Sequence, residues 1–252
     1  PPVTRVSSPS ATPMSSARAV VAQTERVSGS TPHVQTAMQW RLVVPVKGGP
    51  TAKSRLAVPG VDRLLLAQAF ALDTLEAACA CVGRGRVYAV TPSRSIAAQT
   101  QALGARLVKD PGEGLDAAIA AGLDAALRGS AGEEGSKGAN GRDLGVGVLL
   151  GDLPALTPGE LATAFGAAAA YARAFVPDHV GTGTVLLTAR AGVPVQPLFG
   201  PGSAARHERS GATRLELDLP RLRTDVDDLA SLRIAAGLGL GARARVHVAD
   251  RP

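Results

Sequence analysis

A chain of 252 residues with 45% apolar side chains has room for one large domain or two small ones, and only 3% are aromatic, so Ala, Val and Leu must build its core. Lys plus Arg number 27 against 21 Asp plus Glu, a net +6 to which the N-terminal Arg5, Arg18 and Arg26 contribute against one Glu25; the remaining modest basicity suits a phosphorylated substrate, and the shortage of aromatics excludes the stacking platforms of a single-stranded nucleic-acid binder. Two cysteines exclude a disulfide framework and a multi-Cys zinc site, four scattered histidines (His33, His179, His207, His247) argue against a His-rich metal cluster, and no apolar run approaches the ~20 residues of a membrane span, which leaves a cytoplasmic α/β protein without membrane or nucleic-acid partners as the expected class.

Residues 1–38 are rich in Ser, Thr, Pro and Ala and carry no periodic apolar face, so they are expected to be a disordered extension, with Met38 as a candidate true start. Residues 39–252 are expected to form one domain. Leu42-Val43-Val44-Pro45-Val46 reads as a buried first strand, followed by a polar, glycine-containing loop at 47–55. Asp62 to Cys79 carries a broad apolar face at helical spacing. Strands are predicted at 87–90, 105–108, 146–150, 173–176 and 184–187, and helices at 96–103, 114–127, 157–170, 203–210 and 225–236. The Gly- and charge-rich stretch 129–145 is expected to be an exposed loop. Strands alternating with helices imply a three-layer α/β/α fold with a mainly parallel sheet. Such sheets bind ligands beyond the carboxyl ends of their strands, so residues just after strands carry the functional interest.

The first such loop, Val46 to Arg55, holds Lys47 and Lys53, two of only four lysines in the chain, together with Arg55. Glycines let backbone approach a ligand and the cations neutralise phosphate oxygens, although the order is not that of a Walker loop and a solvated basic turn has the same composition. After the third strand, Asp110-Pro111-Gly112-Glu113-Gly114 opens a helix and reads either as an amide-lined seat for a nucleotide edge or as an ordinary turn. Asp152 follows an apolar strand. It can reach a Mg²⁺ held by a triphosphate or cap the next helix, for which Thr157 is better placed. Asp225, Asp227 and Asp228 either cap a helix or, in an extended segment, present Asp225 and Asp227 on one side, where with Asp152 they suit two Mg²⁺ ions. Gly181-Thr182-Gly183-Thr184 and Phe199-Gly200-Pro201-Gly202-Ser203 offer hydroxyls and free amides, and Ser203 opens a helix where a small anion can dock. His179, beside Asp178, reads as structural. Cys79 and Cys81 face different ways on a helix and read as small core residues.

The stretches VPVKGGPTAKSRL, DPGEGLDAAI, GDLPAL, DHVGTGT, FGPGSAARH and TDVDDL, in this order over residues 40–235, resemble the guanylyltransferases of deazaflavin coenzyme F-420 biosynthesis, which act on phosphoenolpyruvate or 2-phospho-L-lactate. The resemblance implies a nucleotide-diphospho-sugar-transferase-like fold. It also implies attack of the acid's phosphate on the α-phosphorus of GTP with release of pyrophosphate, and a downstream transferase that takes up the unstable product. By this resemblance Asp152, Asp225 and Asp227 are metal ligands, of two Mg²⁺ ions. Thr184, Gly200 and Ser203 hold the phosphorylated carboxylic acid. Lys47, Lys53 and Arg55 lie near the triphosphate, Lys47, Lys53 and Asp152 serve catalysis, and Asp110, Gly112 and Gly114 belong to the guanine-side loop. Asp116 stands where the family carries Asn, stretch 129–145 is longer than the family's, and the segment before Met38 has no counterpart. The Ala- and Arg-rich, Lys-poor composition is that of a high-GC actinobacterium-like source, for which the resemblance favours phosphoenolpyruvate over 2-phospho-L-lactate and 3-phospho-D-glycerate. Sugar-phosphate and molybdopterin nucleotidyltransferases open on Leu-Ala-Gly-Gly, where this chain has Val44-Pro45-Val46-Lys47. A non-catalytic nucleotide-binding protein is the alternative of another class. A dehydrogenase is disfavoured, because no Gly-x-Gly-x-x-Gly follows the first strand.

Overall fold

In a computed structural model the described residues are 38–46, 56, 60–128 and 144–248. The expectations for the segment before Met38, for the loop 47–55 and for 129–143 lie outside them. Seven strands form one sheet: β1 (Gln39–Pro45), β2 (Val87–Thr91), β3 (Arg106–Lys109), β4 (Leu144–Leu149), β5 (Arg173–Pro177), β6 (Thr184–Ala189) and β7 (Thr213–Arg214). Eight helices accompany them: α1 (Arg63–Val82), α2 (Ala97–Ala102), α3 (Leu115–Arg128), α4 (Pro158–Ala168), α5 (Ser203–Arg209), α6 (Pro220–Arg223), α7 (Leu229–Leu238) and α8 (Ala242–Val248). The sheet order is β3-β2-β1-β4-β6-β5-β7. All neighbours are parallel except β6, which is antiparallel to both β4 and β5. The expected mainly parallel sheet is present, with one reversed strand inserted by the β5–β6 hairpin.

Alternation along β1 sets the layers. Leu42 and Val44 face α1 and α4, whereas Val43 faces the other way with Tyr88, Val90, the α3 residues Ala118 and Ile119, and Ala204 of α5. Beyond α1, a third cluster joins Leu66 and Phe70 to Val226, Leu232 and Ala235 and to Ala244 of α8. The apolar residues of α1 are therefore used on more than one side. This corrects the statement that no run approaches a membrane span: α1 has 20 residues and the hydropathy of one, but most of it is buried inside the fold. With few aromatics available, Trp40 stacks on Phe165 at a centroid distance of 4.9 Å. Gly145 leaves room for that ring, since a Cβ there would lie 2.4 Å from it. Leu144 and Gly145 thus open β4 rather than closing the preceding loop.

Capping follows the side chains. Asp62 accepts from Leu64 N and Leu65 N at the start of α1, and Thr157 accepts from Glu160 N at α4. Thr157, not Asp152, is the cap of α4. The helix expected from 225 begins at 229, with Asp228 as its N-cap in a capping box with Ser231. Asp73, deep on α1, accepts from Arg243 N and Ala244 N and ties down α8.

Candidate active site

Chain order reverses in the sheet between β1 and β4, since β2 and β3 are added on one side of β1 and the rest of the sheet on the other. That is the switch point at which open α/β sheets place ligands. Close approach there requires Gly151: a Cβ on it would lie 2.8 Å from Pro45 O. Three hydrogen bonds fix the segment after β4, two between backbone groups and one to a side-chain hydroxyl. Asp152 O accepts from Val226 N at 3.0 Å, Leu153 N donates to Thr74 Oγ1 of α1 at 3.1 Å, and Pro154 O accepts from Gly241 N at 2.7 Å. The first of these lays Asp152 beside Asp225 and Asp227, 73 and 75 residues further along the chain.

The electrostatics record that meeting. Burial pushes the Asp225 carboxyl up to about 7, and the neighbouring charges of Asp152, Asp227 and Asp178 push it the same way. Asp225 and Asp152 are partly buried and Asp227 is exposed. Among the described residues no three His, Cys, Asp or Glu side chains already converge as a closed set of metal ligands. The site is a crowd of carboxylates rather than a finished cage.

Asp178 belongs to this edge too, and the sequence reading passed over it in favour of its neighbours. It follows β5, and its carboxylate gathers the hairpin loop: Oδ1 accepts from Gly181 N at 2.6 Å and Thr182 N at 2.9 Å, and Oδ2 from Gly183 N at 2.9 Å. A Cβ on Gly183 would sit 2.4 Å from Oδ2. The amides that looked free in Gly181-Thr182-Gly183 are thus occupied by this carboxylate. The signal was present as an Asp with Gly three and five residues on, an Asx-type turn. Arg223 Nη2 donates to Asp178 O at 3.0 Å and Arg214 Nη1 to Gly181 O at 3.1 Å, which brace the loop from the far side. His179 is exposed, and its backbone N–H donates to Arg223 O.

Because β6 runs backwards, its first residue Thr184 lies at the same edge as the carboxyl ends of β4 and β5, opposite Pro177. Thr184 is buried, and its hydroxyl lies 2.9 Å from His207 Nδ1. Ser203, buried at the start of α5, follows Gly200 and Gly202, both at positive φ. Ala204 N donates to Thr182 O, which joins this turn to the hairpin loop. Asp110, Gly112 and Gly114 lie after β3 on the same edge. Asp110 Oδ1 accepts from Gly112 N at 2.8 Å, and both glycines have positive φ with open space around them. At ~4.8 Å per strand, β3 lies about 14 Å from β4 across the sheet, a span that a nucleotide can bridge. Asp116 is exposed in the first turn of α3. Lys47, Lys53 and Arg55 lie outside the described residues.

Residues 61–221 match the MobA-like NTP transferase domain. A phosphoenolpyruvate guanylyltransferase from Streptomyces scabiei is 48% identical over 214 residues, 82% of this chain and 94% of that protein. Another from Thermomonospora curvata is 45% identical over 218 residues, 85% of this chain and 91% of the relative. The chain belongs to the phosphoenolpyruvate guanylyltransferase family. It is a nucleotidyltransferase, as the six ordered motifs implied. A crystal structure of a nucleotide-diphospho-sugar transferase from Desulfovibrio desulfuricans shares the fold, with a TM-score of 0.55 at 15% identity over 83% of this chain and 91% of that one. The domain match covers Asp152 and ends at 221, before Asp225 and Asp227.

Proposed function

We propose that this chain joins the GMP moiety of GTP to phosphoenolpyruvate, with release of pyrophosphate, as a step in making coenzyme F-420. The reading is supported most strongly by the likeness, at 45–48% identity over most of the chain, to proteins named for this reaction. The acidic edge supports it from the side of chemistry. An all-carboxylate donor set suits a hard divalent cation, and the burial and, after it, the neighbouring carboxylates that raise Asp225 are what such a cation offsets. Asp152, Asp225 and Asp227 are the residues that would hold Mg²⁺, in one or two ions. When bound, the metal neutralises triphosphate oxygens and stabilises charge that develops in transfer.

The chain's own groups divide the remaining work. Asp110, Gly112 and Gly114 take the guanine side of GTP after β3. Lys47, Lys53 and Arg55 serve the triphosphate as cationic donors. Thr184, Gly200 and Ser203 hold the acid, on the loop pair joined by the Ala204 N to Thr182 O bond. A phosphate oxygen of the acid attacks the α-phosphorus; the new P–O bond forms as the α–β bridging P–O bond breaks, and pyrophosphate leaves with the electron pair. A phosphate monoester is already ionised, so no general base is needed. That agrees with a site edge whose buried histidine, His207, is held neutral: burial lowers it to about 4, assisted by Arg206 and Arg173. Catalysis then rests on positioning and charge stabilisation. Cytoplasmic placement and delivery of the product to a downstream transferase belong to the same proposal.

Pyrophosphate release from the full chain with GTP, Mg²⁺ and phosphoenolpyruvate tests this directly. Release that needs all three is expected. GTP binding without release in any combination would point instead to a nucleotide-binding protein that has lost catalysis.

A further inference from the structure

His207 is fully buried in α5, between the rings of Phe175 and Phe199 at centroid distances of 5.7 and 5.2 Å. Its Nε2 accepts from Leu198 N at 2.8 Å. A backbone N–H can only donate, so Nε2 carries a lone pair. The neutral ring therefore has its hydrogen on Nδ1, and Nδ1–H donates to Thr184 Oγ1 at 2.9 Å. A hydroxyl that accepts from the ring keeps its own hydrogen for another acceptor. Thr184 stands at the carboxyl edge of the sheet, beside the Asp178 loop. The same ring holds Leu198, which leads into Phe199-Gly200-Pro201-Gly202-Ser203.

We propose that His207 is a positioning residue for the acceptor acid: as the Nδ1–H tautomer it makes the Thr184 hydroxyl a donor toward an anionic oxygen at the sheet edge, and through Leu198 it ties that hydroxyl to the 199–203 turn. The inference rests on the reading of Thr184, Gly200 and Ser203 as the acid site and adds what orients it. Arg206 completes the device from the same helix, donating through Nη2 to Leu198 O at 3.0 Å and to Phe199 O at 2.9 Å.

Two substitutions separate this role from simple core packing. In His207→Asn the amide nitrogen takes the place of Nδ1 and keeps the donor to Thr184. In His207→Gln the amide takes the place of Nε2 and keeps only the Leu198 side. Steady-state kinetics with GTP, Mg²⁺ and phosphoenolpyruvate should show His207→Gln raising KM for the acid by about tenfold or more with KM for GTP nearly unchanged, and His207→Asn retaining most of the acid affinity. Thr184→Val should raise the acid KM equally, and adding His207→Gln to it should cost little more. Equal losses in the Asn and Gln variants, or additive effects with Thr184→Val, would overturn the positioning role while leaving the acid site where it is. No change in acid KM in Thr184→Val would overturn the acid site itself. Long-range proton–nitrogen correlation spectra of the unaltered protein decide the tautomer without any substitution: a protonated Nδ1 on His207 is expected, and a protonated Nε2 would refute the proposal.

Discussion

Asp225 is the residue on which the proposed chemistry turns. Its folded carboxyl holds a proton up to about pH 7 against an ordinary value of 3.8. The raised value means that the contribution of this group to stability is full below 3.8 and is lost as pH rises through 7. At pH 8 without metal, Asp225→Asn should therefore melt higher than the unaltered protein, by a few degrees on the ~2–4 °C per kcal/mol scale of such domains. With GTP, Mg²⁺ and acid, the same change should lower turnover on the order of 10²-fold or more, and Asp152→Asn should do likewise. A calorimetric melt paired with a pyrophosphate assay reads both; unchanged turnover would return these acids to a purely structural role. His207 gives a second pH signature of opposite sense. Its value is lowered to about 4, so between 6.5 and 4 the unfolded chain takes up a proton that the fold refuses. Stability is full above 6.5 and should fall by up to about 3 kcal/mol as pH drops through that window. Urea midpoints should show this fall in the unaltered protein and a smaller one in His207→Asn. At this scale the sequence showed Asp152 as an acid after an apolar strand, and Asp225 and Asp227 as members of a cluster of three acids in four positions. It did not show that Thr184 is bonded to a histidine 23 residues away, because no local pattern encodes that contact.

Among the elements, those with strong periodicity were legible: α1, α3 and α4 and the apolar strands β1, β2, β4 and β5 stand within a few residues of where the pattern puts them. The two residues of β7 and the four of α6 are too short to carry a period, and α8 alternates apolar and polar residues at a period of two rather than the helical 3.6. The reversal of β6 was not legible, because alternation gives the faces of a strand and not its direction. The six residues between β5 and β6 were the available clue to a hairpin. Loop geometry at this scale gives a clean test. Gly183→Ala forces a Cβ to within 2.4 Å of Asp178 Oδ2, so it should displace the carboxylate from its three amides. The expected result is a higher KM for the acid and a melting temperature lower by several degrees. Gly166→Ala, with open space around it on α4, should leave both unchanged or raise stability slightly. Equal behaviour of the two alanine variants would mean that the Asp178 loop does not shape the site.

At the scale of the whole molecule, the three layers followed from alternating elements, but the sheet order did not. The order brings β1 and β4 together at the switch point, and one backbone bond, Val226 N to Asp152 O, then sets the two acidic segments side by side. Neither segment is special alone; the site exists because the chain returns to the same sheet edge after β7. Mg²⁺ with GTP should accordingly raise the melting temperature of the intact protein more than either added alone, since the charge each brings offsets that of the other. The six ordered motifs went further than composition could, and led to the family. The choice among phosphorylated acids rests on fine placement at Thr184, Gly200 and Ser203, which motif order does not encode. Parallel reactions of the full chain with GTP and Mg²⁺, given phosphoenolpyruvate, 2-phospho-L-lactate or 3-phospho-D-glycerate and read by mass spectrometry of the guanylylated product, test that choice most directly. Fastest formation of the phosphoenolpyruvate adduct with one pyrophosphate per product is the expected result. Faster formation of either other adduct, or no adduct with any acid, would contradict the account.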